Sequence, residues 1–487
     1  MARRAATPQR ASPARAPSPA RAPSPARAPS LPRARAARAP TPAASRTASD
    51  VWHGAFSSPL DRLVRTTVGP LLLLLLTPLF VNFAALAALR HDSSFAALAA
   101  AYATPSAALA AAFPVPTRGL AAALAAFVCF EAALLVLLPG RVFAGAIAPS
   151  GFAPSFRANG GAAYLATAAA AAALVASGRV PATALYDHCL ELLTLLNGAA
   201  LALAAALAVK GVVAPSTHDA GVEGGLCFSL FWGVELYPSI FGLQLKQLFI
   251  SRCGMMSWAL ATASFAAAAV RARGGVSPAL AASVALNALY VAKFFLFFEA
   301  DYLKAADIAV DRLGFMLAWG PLVFMPLAHN LQTLHLVTHA GLALSWSGAA
   351  AWVVLGVVLI AANLSADTQR HAVRAAGGAC DVWGRPATFI RAPYTDAAGA
   401  RHENLLLTCG WHARVRHFHY APDIALLVLY CAPAGFATPL PWTYFFYLTA
   451  LLLDRTGRID ARCAAKYGKA WREYERAVPW KLVPGVW

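Results

Sequence analysis

The sequence predicts an all-α, polytopic integral membrane protein with about ten transmembrane helices behind a disordered N-terminal tail. Three observations predict it. Of the 487 residues, 59% are hydrophobic and only 13% charged, whereas soluble domains are about a quarter charged. Apolar runs recur along the chain at or near the roughly 20 residues that cross a hydrocarbon core about 30 Å thick. Between them lie only a few polar islands.

Residues 1–50 repeat a Ser-Pro-Ala-Arg-Ala-Pro unit, beginning at Ser12, Ser18 and Ser24. Proline at this density blocks helix, and too little is apolar to pack, so this tail is expected to be disordered. Its ten arginines face a single acid, Asp50. Such a tail suits a solvated segment, contact with anionic lipid or an organelle address. The expected membrane domain is 51–487. Its apolar runs are 70–89, 119–138, 161–177, 192–209, 254–270, 277–298, 313–328 and 342–364, and a longer one at 424–453. At about 1.5 Å per residue the last is too long for one straight span. Pro433, Pro439 and Pro441 break it, so it counts as two passes.

The formal net charge is +18, half of it in the tail. The tail, Arg62 and Arg65 put the N-terminus in the cytosol by the positive-inside rule. The closing segment carries Arg455, Arg458, Arg462, Lys466, Lys469, Arg472, Arg476 and Lys481, which puts the C-terminus there too. Two cytosolic ends need an even number of crossings, and ten satisfies that. The eight cysteines form no Cys-x-x-Cys pair, which argues against a zinc site or a disulfide framework.

The polar islands are 210–247, 299–312, 368–420 and the segment after Asp454. In 299–312, Asp307 and Asp311 would share a face if the stretch is helical, with Lys304 in reach of Asp307. Ionisable groups beside a bilayer core are functional candidates by default, against the plainer reading of a solvated interfacial loop. The two C-terminal islands mix Arg, Lys, Tyr, His and Trp, which suits an anionic, aromatic ligand such as a dinucleotide. A basic rim that merely fixes topology is the plainer reading there. No Gly-x-Gly-x-x-Gly follows a strand and no Walker A loop occurs, so a Rossmann or P-loop site is unsupported. No metal site and no nucleic-acid partner are expected.

From about Trp52 to Trp487 the chain resembles a family of sterol reductases, which includes the sterol Δ14-, Δ24(28)- and Δ7-reductases and the lamin B receptor membrane domain. The resemblance runs through Phe130-Glu131, Leu137-Leu138-Pro139-Gly140, Ile147-Ala148-Pro149-Ser150-Gly151 and Asn159-Gly160. It continues through Tyr186-Asp187-His188, Val213-Ala214-Pro215-Ser216, the run Phe231 to Pro238, and Gly254-Met255-Met256-Ser257-Trp258. In the C-terminal half it rests on Asp307-Ile308-Ala309, Asp311-Arg312, Arg416-His417-Phe418-His419-Tyr420, the run Arg462 to Gly468, and Val478-Pro479-Trp480-Lys481. Phe418 and Gly-Met-Met-Ser-Trp point to the Δ7 branch.

The resemblance implies reduction of a sterol ring double bond by NADPH at the endoplasmic reticulum. The sterol would come from the bilayer. It implies a cofactor pocket open to the cytosol and formed by about 342–487. Residues carried over to that pocket are Arg370 and Arg374 for phosphates, then Leu407, Trp411, His412, His417, His419 and Tyr420. Asp460, Cys463, Ala464, Ala465, Lys466, Tyr467 and Tyr474 complete the set. An alkene carbon accepts hydride poorly, so the site also needs a positioned acid and a dry pocket. Glu299, Asp307 and Asp311 are the candidate acids, with Tyr302 as a hydroxyl relay. His329 stands where relatives carry a tyrosine that is a plausible proton donor.

Three further positions depart from the family pattern. His412 replaces a second tryptophan, Ile459 stands where relatives have Asp, and Ser239 follows Tyr-Pro in place of Arg. The competing readings are a Δ14-reductase, a non-catalytic sterol-binding or nuclear-envelope protein on the same scaffold, and an isoprenylcysteine-type methyltransferase. The last is a much shorter family and leaves the N-terminal matches unexplained.

Overall fold

A computed structural model describes residues 58–487 apart from 149, 223 and 396–398. The tail expected to be disordered lies outside the described residues. The described chain is mostly helical. In order come α1 (Pro59–Arg90), the short pair α2 (Phe95–Ala101) and α3 (Pro105–Ala112), and α4 (Arg118–Leu137). A hairpin of β1 (Arg141–Ala144) and β2 (Ser155–Ala158) leads into α5 (Gly160–Ala176). Next are α6 (Cys189–Val213), α7 (Gln247–Arg273) and α8 (Pro278–Tyr302). Broken helical turns over 315–328 precede α9 (Leu331–Thr338) and α10 (Trp346–Ala375). A second hairpin, β3 (Phe389–Thr395) with β4 (Arg401–Leu407), then leads to α11 (Tyr420–Cys431), α12 (Thr443–Tyr467) and α13 (Lys469–Ala477).

Local chemistry sets where these helices begin. Ser58, Thr117, Ser277 and Ser345 accept hydrogen bonds from the free N–H groups of the first turns of α1, α4, α8 and α10. Pro59 and Pro278 occupy the first helical position, where no N–H is needed. Gly274 ends α7 in the left-handed region at φ 73°.

Among the described residues, six helices are long and apolar enough to cross a membrane: α1, α4, α6, α7, α8 and α10. The pair α2 and α3, bent by 116°, raises the count to seven if it acts as one span. The sequence expectation of about ten also counted 161–177, 313–328 and two passes over 424–453. Those stretches fold as shorter or broken helices, except that the end of 424–453 opens α12, which is 25 residues long but charged over its C-terminal half. Pro321 and Pro326 lie in a helix that widens into a π turn at Gly320–Phe324 and turns again at His329. The 424–453 stretch divides as expected, at the Ala432–Ala434 and Leu440–Trp442 turns between α11 and α12.

Buried polar groups tie the helices together, as apolar surface cannot do inside lipid. Asn197 donates to Asn82 at 2.8 Å and accepts from the Trp319 indole at 2.6 Å. The Trp258 indole donates to Asn287 at 2.9 Å, Thr262 donates to Asn330 at 2.8 Å, and Ser283 meets Thr333 at 2.8 Å. These bonds join α7, α8 and α9 and fix the ring of Trp258.

The strongest clamp lies deeper. Arg252, in the π turn that opens α7, pairs with Glu299 near the end of α8, and both are buried. The second guanidinium nitrogen donates to Asn159 Oδ1 at 2.7 Å, and the second carboxylate oxygen accepts the Gly160 N–H at 2.9 Å. A side chain at 160 would collide with that carboxylate, so glycine is required there. One ion pair thereby holds α5, α7 and α8 in register. The charge pays its desolvation only while paired. Arg252→Met should therefore lower stability by about 3–5 kcal/mol, and adding Glu299→Gln should recover part of the loss. Thermal unfolding of the detergent-solubilised protein measures both.

Candidate active site

A cavity of about 500 Å³ opens between α7, α8, α10, α11, α12 and the segment 406–420. Its two ends differ in chemistry. One end is aromatic. There His329 stacks on Tyr444 at 3.9 Å and meets Trp258 edge-on at 4.7 Å. Tyr290 and Tyr430 complete this chamber. The Tyr430 hydroxyl and His329 Nδ1 are buried without a hydrogen-bond partner.

The other end is basic. Arg370 and Arg374 stand one turn apart on α10, so both reach the same wall. Arg370 is braced by Asp367 at 2.6 Å, and Arg374 Nε donates to the Leu405 carbonyl at 3.3 Å. Opposite them are Cys463 and Tyr467 of α12 and Tyr474 of α13, with Leu407 from β4. Two guanidinium groups beside aromatic and apolar walls can hold a phosphate-bearing aromatic ligand.

The residues between β4 and α11 are fixed from behind. Asp460 accepts from Arg416 at 2.8 Å and meets His417 Nε2 at 2.9 Å. Arg416 also donates to the carbonyls of Val478 and Pro479, at 2.7 and 3.0 Å. His417 stacks in parallel with Tyr420 at 5.8 Å. Burial raises the proton affinity of Asp460, but the hydrogen bonds from His417 and Arg416 outweigh it and hold the carboxyl below its usual range. His412 is buried, and burial, with the charge of Arg370 second, pushes it down to about 4. It is therefore neutral near pH 7. Its Nε2 meets the Ala366 carbonyl at 3.3 Å.

Many of the residues singled out in the sequence meet here. Arg370, Arg374, Leu407, His412, His417, His419, Tyr420, Cys463, Tyr467 and Tyr474 line the cavity, as do Tyr302, Asp307 and His329. Others do not. Trp411 stands just behind, stacked on Phe418 at 4.4 Å with its indole donating to Ser365 at 3.0 Å. Asp460 acts through His417 and Arg416. Ala464, Ala465 and Lys466 fall on the exposed face of α12, and Lys466 lies 3.6 Å over the Tyr394 ring.

Among the candidate acids, Glu299 is spent on Arg252 and Gly160 and faces a smaller crevice of about 340 Å³. The 299–312 island is not one helix, since turns interrupt it at 303–305 and 310–314. Asp307 therefore pairs with Arg455 of α12, not with Lys304. Asp311 is buried, and burial, reinforced by the charge of Asp307, pushes it up to about 6. Its backbone carbonyl accepts from buried Lys246. Of the departures, His329 and Ile459 line the cavity, and Ser239 lies in a short hairpin with Gln244.

Sequence reasoning missed Lys293, Asn363, Asp367 and Asp423, all on the cavity wall. A signal existed. Lys293 is a lone cation in an apolar run, and Asn363, Asp367, Arg370 and Arg374 follow one another at helical spacing.

A membrane-embedded helical protein with a cavity that is basic at one end and aromatic at the other is suited to bring a polar anion to an apolar molecule. Comparison narrows that class. The family model described as the ergosterol biosynthesis ERG4/ERG24 family matches residues 61–487, and the chain belongs to that family. A protein of Arabidopsis thaliana named 7-dehydrocholesterol reductase is 39% identical over 359 residues, covering 74% of this chain and 83% of its own. A Delta(14)-sterol reductase of Methylotuvimicrobium alcaliphilum is 34% identical over 363 residues, covering 74% and 82%. A 7-dehydrocholesterol reductase of Xenopus laevis is 33% identical over 306 residues, covering 62% and 64%.

The brace behind His417 gives a measurable expectation. Asp460→Asn should cost about 3 kcal/mol, because it leaves Arg416 buried without its carboxylate. The depressed carboxyl stabilises the fold above about pH 4, and that contribution is lost as pH falls through its lowered value. The variant should lack this acid-dependent loss in thermal melts taken across pH.

Proposed function

We propose that this protein is an NADPH-dependent sterol reductase that saturates the C7=C8 bond of Δ5,7-sterols. The reading places it in the endoplasmic reticulum membrane with both ends cytosolic. The observation that carries it is the two-ended cavity, which joins Arg370 and Arg374 to the aromatic chamber around Trp258, Tyr290 and Tyr444. It also counts ten crossings: the six long helices, α5, the broken stretch 315–338, α11 and α12.

In this reading Arg370 and Arg374 hold the phosphates of NADPH, and the 342–487 region forms its pocket. His412, His417, His419 and Tyr420 line the path inward, with Tyr467 and Tyr474 against the opposite side. When bound, NADPH supplies the hydride. The remaining work falls to side chains. The aromatic chamber excludes water from the alkene and favours a flat, rigid ring system. It also places π faces near the carbon that becomes electron-poor as a proton arrives. Tyr302 and Asp307 lie on the wall between the two ends. His329 packs against Tyr444 as a wall of the chamber.

The support from relatives is the name 7-dehydrocholesterol reductase on proteins of a plant and a frog, and the Δ7-type residues Phe418 and Gly254 to Trp258. The Δ14 alternative rests on the bacterial relative, which aligns over as much of the chain.

Expression in a yeast strain that accumulates Δ5,7-sterols decides between them. Sterol profiling by mass spectrometry should show loss of the C7=C8 bond. In a second strain, one that accumulates Δ8,14-sterols, loss of the C14=C15 bond would favour the alternative, and unchanged profiles in both strains would favour a non-catalytic scaffold. With the active enzyme, Arg374→Met should raise the KM for NADPH about tenfold or more and leave the KM for sterol within about twofold.

A further inference from the structure

Lys293 is not explained by a cofactor site or by packing. It is only 6% exposed, on a helix that is apolar around it. Its ammonium donates to Asn363 Oδ1 at 2.9 Å and lies 4.3 Å from the Phe298 ring centroid. An ammonium in such a place needs counter-charge. Asp423 of α11 and Asp367 of α10, which line the same cavity, are the acids of the neighbouring helices.

Asn363 organises the group. Its amide nitrogen donates to the His419 carbonyl at 2.9 Å, one helical turn before Asp423. Asp367 is already held by Arg370 at 2.6 Å. Asp423 shares the cavity wall with Lys293.

The row has direction. Asn363, Asp367 and His371 sit four apart and form one stripe along α10. At its far end His371 lies 3.8 Å from Asp301, and both side chains are about a third exposed. At the near end Asp423 lies on the cavity-lining face of α11 that also carries Leu427 and Tyr430. The titratable groups that line the cavity with it include Lys293 and Tyr290 from α8, Asp367 from α10, Tyr430 from its own helix and Tyr444 from α12. A line of ionisable side chains therefore runs from a solvent-reached pair to a dry chamber.

We propose that this row is the proton route of the reduction, with Asp423 as the acid at the chamber end and Lys293 and Asn363 as positioning residues. The proposal rests on the reductase reading. In one turnover the O–H bond of the Asp423 carboxyl breaks, and its proton forms a C–H bond at one alkene carbon. The second C–H bond forms with the hydride that NADPH supplies as the two-electron reductant, and the π bond is lost. Asp423, left as carboxylate, regains a proton from water by way of Asp301, His371 and Asp367.

The experiment is kcat against pH for the full chain in lipid, with NADPH and a Δ5,7-sterol. An acid acts only when protonated, so kcat falls as pH rises through the pKa of Asp423. The charge of Lys293 favours the carboxylate, so Lys293→Met should move this alkaline limb to higher pH. The charge of Asp367 disfavours it, so Asp367→Asn should move the limb to lower pH, at a lower kcat because a relay group is lost. Asp423→Asn should lower kcat about 100-fold or more, and Asp423→Glu should restore part of it. The KM for NADPH in both Asp423 variants should stay within about twofold, which also shows that they fold.

Near-normal kcat in Asp423→Asn overturns the proposal. So do limbs that stay put, or that shift the same way in the Lys293 and Asp367 variants. Where Asp423→Asn does not fold, the opposed limb shifts decide alone. A wild-type enzyme that reduces no sterol overturns the reductase reading itself, and that control separates the two failures.

Discussion

Charge buried among apolar helices has to be matched across elements, and the rest of this structure depends on that constraint. Arg252 and Glu299 are the deepest case. Neither can be solvated where it sits, so each is stable only while α7 and α8 keep their spacing, and Asn159 and Gly160 draw α5 into the same joint. Asp460, Arg416 and His417 repeat the device nearer the surface. There the pair to a carboxylate on α12 positions a segment of irregular backbone that no helix could hold. Asp307 with Arg455 does so between the 299–312 island and α12.

The cavity follows from those joints. Helices that cross at fixed ion pairs cannot close fully along their length, and the gap between α8, α10 and α12 is lined by what each helix turns inward. From α10 that is a stripe of polar residues, and from α7, α11 and α12 it is mostly rings and aliphatic side chains, with Asp423 and Arg455 among them. A polar wall facing an aromatic one is unusual in lipid surroundings, where unpartnered polar groups are costly. It makes sense if two unlike molecules meet there, one charged and one a lipid.

Much of this was legible in the sequence. The apolar runs located all six long helices, because a membrane-spanning stretch announces itself by length alone. But α1 begins at Pro59, α7 at Gln247 and α10 ends at Ala375, well outside their runs, where polar and charged residues extend the helix. Prolines marked the break between α11 and α12. The arginines of α10 and the 462–468 stretch pointed to one wall each. Less legible were features that depend on partners far apart in the chain. Nothing near Glu299 says that Arg252 will take its carboxylate, so it read as an available acid. Asp307 read as a partner of Lys304, but the chain turns at 303–305 and Arg455 comes from another helix. Lys293, Asn363 and Asp423 are single polar residues in three apolar stretches, and only the fold brings them together. The bent pair α2 and α3 was overlooked because alanine-rich turns of this length look like part of a loop.

The account's central claim is that a sterol alkene and a nicotinamide meet in this one cavity, with water reaching it only as protons. Isotope tracing tests that most directly. Reduction with NADPH carrying deuterium at the transferable position, in ordinary water, should place one deuterium on a former alkene carbon of the sterol. Reduction with unlabelled NADPH in heavy water should place one on the other carbon. A reduced sterol with no label from the cofactor, or with both new hydrogens drawn from water, would contradict it.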